Sequence, residues 1–321
     1  MKFNRAKIKT LSRLGTCGAY GLAMLEMPQM DDKVVACTAD LCFYSGLERF
    51  SQEFPENFYN VGIAEQNLVG IAGGLAHEGF KPYVSTYASF ACTRALDQVK
   101  VNMGYMQLPI RLIGLTSGLS VGILGPTHIC MEDIAIMRSI PNLTIISPAD
   151  AMETVKVIQA LVDYQQPVYV RLSGTMNMPS VYLEDYEYSI GKAITLREGK
   201  DIAIVATGTM VATAIEVAEK LSAYDVSCKI INMHTIKPLD ANAIDELKEF
   251  KCIVSIEEHS RIGGLGSAVA EYITTQGGFP RLEIIGMDDK YPHAAEYGYL
   301  IEKCGLTAEH IANRLCELLQ V

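Results

Sequence analysis

Apolar residues along the chain come in short unbroken runs, each followed by a longer stretch whose apolar positions recur every three or four residues. Residues 33–39 (KVVACTA), 82–86, 111–115, 143–147 and 167–172 read as strands buried on both faces, because their runs do not alternate. Helical stretches fall between them, over 20–27, from Glu65 to near Gly79, and over 89–103, 131–139 and 149–162. Residues 42–57 read as a polar loop. A second alternation begins at Asp201 with IAIVATG and a helix to Ala223. Strands at 227–231, 252–256 and 282–285 then alternate with helices at 241–250, 264–273 and 308–319. Strands and helices of these lengths predict βαβ units, so the fold class is α/β with two open, mostly parallel-sheet domains. The division drawn is a basic leader at 1–14, a first domain at 15–175, a linker at 176–199 carrying Pro179 and scattered tyrosines and acids, and a second domain at 200–321.

Composition changes this picture little but closes off several functions. A chain of 321 residues, 49% hydrophobic and 20% charged, can build two cores. A net charge of −10 argues against a nucleic-acid partner, which needs clustered lysine and arginine. The leader carries Lys2, Arg5, Lys7, Lys9 and Arg13 but no apolar segment of a signal peptide, and no 18-residue apolar run occurs anywhere, so no membrane association is expected. Nine cysteines, an odd number without a CxxC pair, lie in part in apolar runs; a reduced, cytoplasmic setting is expected.

Candidate chemistry gathers after the strand ends of the first half, at Asp40, Glu65, Tyr87, Thr116 and His128. Strand carboxyl ends converge on one edge of an open sheet, so these groups can share a cleft. Glu65, in FYNVGIAEQNL, has only uncharged neighbours and opens a helix; an acid there can serve chemistry or simply complement the helix dipole. His128 follows a glycine-rich loop in GPTH. Tyr87 and Phe90, three apart, suit stacking on a flat ring or ordinary core packing equally. No GxxxxGK[ST] and no strand-linked GxGxxG is present, and the histidines at 77, 128, 234, 259, 293 and 310 lack metal-ligand spacing, so no metal site is expected on this chain.

Taken in order, GIAEQN, TYASFACTRALDQV, GPTH, RSIPNLTIISPAD, PVYVRL and EEHSRIGGLGSAVAE resemble the carboxy-terminal half of a transketolase, in the form split into two polypeptides. The resemblance implies a pyrimidine-binding domain followed by a transketolase C-terminal domain. It also implies thiamine diphosphate as cofactor. Glu65 would hydrogen-bond the pyrimidine ring nitrogen and so help generate the nucleophile. Phe90 would stack on that ring with Tyr87 beside it, Leu41 would prop the cofactor in its bent shape, and Asp40 would lie adjacent. His128 would contact the ketol end of the sugar. The family holds the diphosphate through Mg²⁺ (or Ca²⁺) on a GDG…N motif that this sequence lacks. An amino-terminal partner subunit is therefore implied, with the site shared across the interface in a dimer of heterodimers.

Three positions depart from the family pattern. Cys17 and Gly174 stand where transketolases carry the arginines that hold the sugar phosphate, and Leu124 replaces an acid that contacts a sugar hydroxyl. Arg94 and Arg171 are other available cations, with Arg94, Thr116 and Leu124 as candidate substrate contacts. The implied activity is transfer of a two-carbon ketol unit from a ketose to an aldehyde, with non-standard specificity toward small sugar-like substrates. A β subunit of a 2-oxo-acid dehydrogenase or a related decarboxylating ligase, and a non-catalytic subunit, are the alternatives. No role is read for His259 or Arg261.

Overall fold

The computed structural model describes residues 3–320, so Lys2 of the basic leader lies outside them. Its strands are β1 (Val34–Thr38), β2 (Phe58–Asn60), β3 (Lys81–Tyr87), β4 (Arg111–Ser117), β5 (Thr144–Ile146), β6 (Val168–Ser173), β7 (Ile194–Arg197), β8 (Ile202–Ala206), β9 (Cys228–Asn232), β10 (Thr235–Lys237), β11 (Cys252–Ser260) and β12 (Arg281–Met287). They form two sheets, ordered β10-β5-β6-β4-β3-β1-β2 and β12-β11-β8-β9-β7. Both are parallel apart from one edge strand each: β10 runs antiparallel to β5, and β7 antiparallel to β9. The α/β class and the two mostly parallel sheets are as the apolar runs predict. All five residues of β1 are buried, as they must be when helices cover both faces of a sheet.

Strand order fixes where chemistry can sit. From β1 the chain moves outward to β2, then returns to place β3 on the other side of β1, and continues through β4. Loops leaving β1 and β3 therefore diverge to opposite faces and open a crevice between them. Asp40 and Leu41 follow β1, Glu65 follows β2, Tyr87 ends β3 and Thr116 lies at the end of β4: four adjacent strands, one edge.

Several segments differ from the sequence reading. The leader is helical from Arg5: the helix Arg5–Met24 is capped by Asn4, whose side chain accepts from the Lys7 amide at 2.9 Å. Its basic residues mask a buried stripe at Ile8, Leu11, Gly15 and Ala19 that packs on the helix Ala151–Ala160. The loop at 42–57 contains a helix, Glu48–Glu53, anchored by buried Phe50. The linker at 176–199 contributes β7 to the second sheet. The helix at 89–103 is broken into Ala88–Cys92 and Leu96–Gln98, followed by a wide turn over Val99–Tyr105. Thr93 Oγ1 donates back to the Ser89 carbonyl at the break, a bond that competes with continued helix.

The two halves are bolted together through buried polar groups. Arg171 on β6 donates from Nε to Asp133 at 2.9 Å and from Nη2 to the Glu258 carbonyl at 2.7 Å. The Glu258 carboxylate in turn accepts from the Leu119 amide, Thr209 Oγ1 and the Tyr297 hydroxyl, at 2.6 to 2.7 Å. Asn232 of the second half donates to both oxygens of buried Glu153 in the first. Strand β10, from the second half, completes the first sheet.

Candidate active site

The loops after β1 and β2 are tied together by one side chain. Asn60 Oδ1 accepts from the amides of Asp40 and Gly62, both at 3.1 Å, and its Nδ2 donates to Asp40 Oδ1 at 3.2 Å. Gly62 has φ of 74°, a left-handed turn suited to glycine, and this turn delivers Glu65 to the first position of the helix Glu65–His77. Glu65 is 2% exposed. Nη1 of Arg94, from the break in the helix, donates to both of its oxygens at 2.8 and 2.9 Å. The setting that is uncharged along the sequence is thus charged in space.

From Arg94 a continuous line of contacts crosses the crevice. Its guanidinium carbon lies 4.1 Å from the Phe90 ring centroid. Phe90 meets the His128 ring edge-on at 5.3 Å, and His128 meets Tyr87 edge-on at 5.6 Å. His128 Nδ1 is 2.9 Å from Thr127 Oγ1. Glu65, Phe90, His128 and Tyr87 are thereby brought together. Asp40 is exposed and held by Asn60, and Leu41 is half-buried against the main core beside them.

Beyond Tyr87 the crevice deepens into a cavity of about 330 Å³. Cys17, Leu124 and Gly174, distant in sequence, all line it, together with Thr116. The reason is local: at Gly15 the helix Arg5–Met24 takes a non-helical φ of 69°, where a Cβ would meet the Thr175 carbonyl oxygen at 2.5 Å. The strand end after β6 therefore crosses the helix closely, with Thr16 Oγ1 donating to the Ser173 carbonyl at 2.9 Å. Gly174 has φ of 85°, and a Cβ there would sit 2.1 Å from Met178 Sδ. Burial pushes the Cys17 thiol up to about 11, so it is neutral. Thr116 holds a positive φ of 51°, uncommon for a β-branched residue, and its buried hydroxyl has no partner.

Other residues singled out in the sequence lie elsewhere. Arg94 faces Glu65 and does not line the cavity. Arg171 is buried against Asp133 and is no free cation. His259 accepts the Ala135 amide on Nε2 at 3.3 Å, which leaves Nδ1–H to donate to the Ser260 carbonyl at 2.7 Å; burial lowers it to about 4. Glu257 accepts the amides of Leu265 and Gly266 at the start of the helix Leu265–Gln276, and burial raises it to about 7. Glu257 thus braces its own half, while Glu258 and His259 tie it to the first through the Leu119 and Ala135 amides. Arg261 pairs with Asp288 at the surface. All nine cysteines are free thiols. Among the described residues no three His, Cys, Asp or Glu side chains form a metal-binding group, and no helix is long and apolar enough to cross a membrane. Asn60 and the Glu65–Arg94 pair escaped the sequence reading; no local signal links residues 29 apart to one ion pair.

Comparison with known proteins gives two family matches in order: the transketolase pyrimidine binding domain over residues 13–177 and the transketolase C-terminal domain over residues 191–311. A 6-deoxy-6-sulfo-D-fructose transketolase subunit from Clostridium sp. (strain MSTE9) is 38% identical, the match covering 92% of this chain and 91% of that one. An apulose-4-phosphate transketolase subunit from Phocaeicola vulgatus is 38% identical over 92% of this chain and 95% of its own. A solved structure described as a split gene transketolase, inactive beta4 tetramer, superposes with a TM-score of 0.88 at 36% identity, covering 95% of this chain and 98% of that one.

Proposed function

Since this chain belongs to the transketolase family, as a subunit of its split form, we propose that it supplies the pyrimidine-facing half of a thiamine-diphosphate site for two-carbon ketol transfer. The observation that carries this is the cradle at the crevice between β1 and β3. A buried carboxylate and an aromatic face there hold a flat, N–H-bearing group, the guanidinium of Arg94. The same two surfaces suit a flat heterocycle with a ring N–H.

When bound, the cofactor supplies a nucleophilic carbon and an electron sink. Glu65 would accept from its ring in place of Arg94 and hold the proton that selects the reactive tautomer. Phe90 would offer its face, with Tyr87 alongside, and Leu41 would back the ring from the loop after β1, with Asp40 near. His128, fixed edge-on to Phe90 and Tyr87, would donate to or accept from an oxygen of the sugar's ketol end. Thr116 would meet a substrate hydroxyl.

The diphosphate and its Mg²⁺ (or Ca²⁺) fall to an amino-terminal partner, because this sequence has no GDG motif. Phe43, Tyr44 and Ile63, at 68%, 58% and 76% exposure around the crevice, give that partner an apolar surface to cover. That a solved relative is an inactive beta4 tetramer supports the same division of labour. A dimer of heterodimers in the cytoplasm is the assembly this reading implies. The two relatives, equally identical to this chain, are named for a sulfonated and a phosphorylated sugar.

The test is reconstitution with the partner subunit, thiamine diphosphate and Mg²⁺. Ketose-to-aldehyde transfer is expected, falling about 10²–10⁴-fold in Glu65→Gln with folding intact. Acetyl-level products from pyruvate, or unchanged turnover in Glu65→Gln, would overturn the reading.

A further inference from the structure

The cavity beyond Tyr87 contains no lysine, arginine or histidine in its lining. Its polar atoms are hydroxyls, the neutral Cys17 thiol and backbone. Three of its six hydroxyls are committed: Thr16 donates to the Ser173 carbonyl, Thr175 to the Met176 carbonyl, and Ser120 to the Ser117 carbonyl while accepting the Gly174 amide at 2.7 Å. Among the described residues the Tyr44 and Tyr87 hydroxyls make no hydrogen bond, and the Thr116 hydroxyl is buried without a partner on a strained backbone. Leu14, Ile123, Leu124 and Met176, exposed between 41% and 70%, make the mouth apolar.

We infer that the substrate's far end, the end away from its reacting carbonyl, is uncharged: a short hydroxylated or deoxygenated carbon tail without phosphate or sulfonate. The inference rests on the ketol-transfer reading above and specifies the substrate class of that same site. A phosphate carried into this space would lose its hydration and find, among the described residues, no cation in the lining to replace it. A neutral tail loses little on entry, packs against leucine, isoleucine and methionine side chains, and has the uncommitted Tyr44 and Tyr87 hydroxyls on the same wall for a hydroxyl of its own. Of the arginines near the crevice, Arg94 is paired with Glu65 and Arg171 with Asp133, and Arg13, beside Leu14, is exposed and is not part of the lining. Gly174 in turn resists a longer side chain, since its φ of 85° is strained for any residue with a Cβ and the Met178 thioether would have to swing aside.

The experiment uses the complex reconstituted with its partner, thiamine diphosphate and Mg²⁺. Hydroxypyruvate serves as donor: it loses carbon dioxide and leaves a two-carbon ketol unit to be transferred. Acceptors are compared at equal length in pairs, glyceraldehyde with its 3-phosphate, erythrose with its 4-phosphate, and each with an ω-sulfonated aldehyde. Neutral acceptors are expected to show at least tenfold higher kcat/KM than either anion. A smaller or reversed ratio overturns the inference but leaves ketol transfer standing. No transfer to any acceptor overturns the ketol-transfer reading itself. Cys17→Arg is expected to shift the ratio at least tenfold toward phosphorylated acceptors. Met176→Arg, at a 70% exposed position of the mouth where folding is not at stake, is expected to shift it the same way. An unchanged ratio in both variants would mean the tail binds elsewhere.

Discussion

Nη1 of Arg94 lies 2.8 Å from one carboxylate oxygen of Glu65 and 2.9 Å from the other. Stacked on Phe90 as well, the guanidinium occupies both surfaces assigned to the cofactor ring. On the proposed reading, Arg94 would have to turn away for the coenzyme ring to take these surfaces. With Arg94 nearly half exposed, the pair is worth about 1 kcal/mol, or about fivefold in a binding constant. Arg94→Ala should lower the thiamine diphosphate concentration for half-activation of the reconstituted enzyme by about that factor. Titrating activity against cofactor checks it; a markedly higher requirement would show that Arg94 helps to hold the coenzyme.

Arg171 and Asp133 make a different kind of pair, 2.9 Å apart with side-chain exposure of 1% and 0%. Removing one partner strands a charge in the interior. Arg171→Met should cost about 3–5 kcal/mol, visible as a large drop in the denaturant midpoint. A loss below about 1 kcal/mol would mean that the junction between the halves tolerates an unpaired carboxylate.

Gly174→Ala should destabilise the chain by about 1–3 kcal/mol, because both its backbone angle and the Met178 sulfur oppose a side chain. Thermal denaturation measures this directly. An unchanged Tm would show that the strand end after β6 can move, and with it the wall of the cavity.

Glu257 gives a pH signature. Burial raises it from 4.5 to about 7, so between those values the folded chain keeps a proton that the unfolded chain has released. Bound protons favour the native state there at low pH, and its contribution to stability falls as pH rises from about 4.5 to 7, then levels off. Relative to Glu257→Gln, the wild-type Tm should therefore decline between pH 5 and pH 7 and hold steady from 7 to 8. A difference that grows with pH would reverse the assignment.

What could be read from the sequence follows from what each feature depends on. Buried parallel strands such as β1 and β8 stand out because their apolar runs are set by local burial, and the site residues after them follow from strand order. Strand β10, with the sequence TIK, carries no such run and pairs with β5 only through tertiary contact. The helical stripe at Ile8 and Leu11 was hidden by the basic residues around it. Cys17, Leu124 and Gly174 could be picked out one by one, but their meeting in one cavity depends on the crossing at Gly15. Arg94 reaching Glu65 depends on the helix break at Thr93, which no periodicity announces.

The antiparallel pairing of β10 with β5 bears on any attempt to express the pyrimidine-binding half by itself. Cut after residue 177, that fragment would present β5 as a bare border, its amides and carbonyls free to recruit a neighbour. Such a piece should associate with itself and precipitate, so biochemistry on this protein calls for the uncut polypeptide.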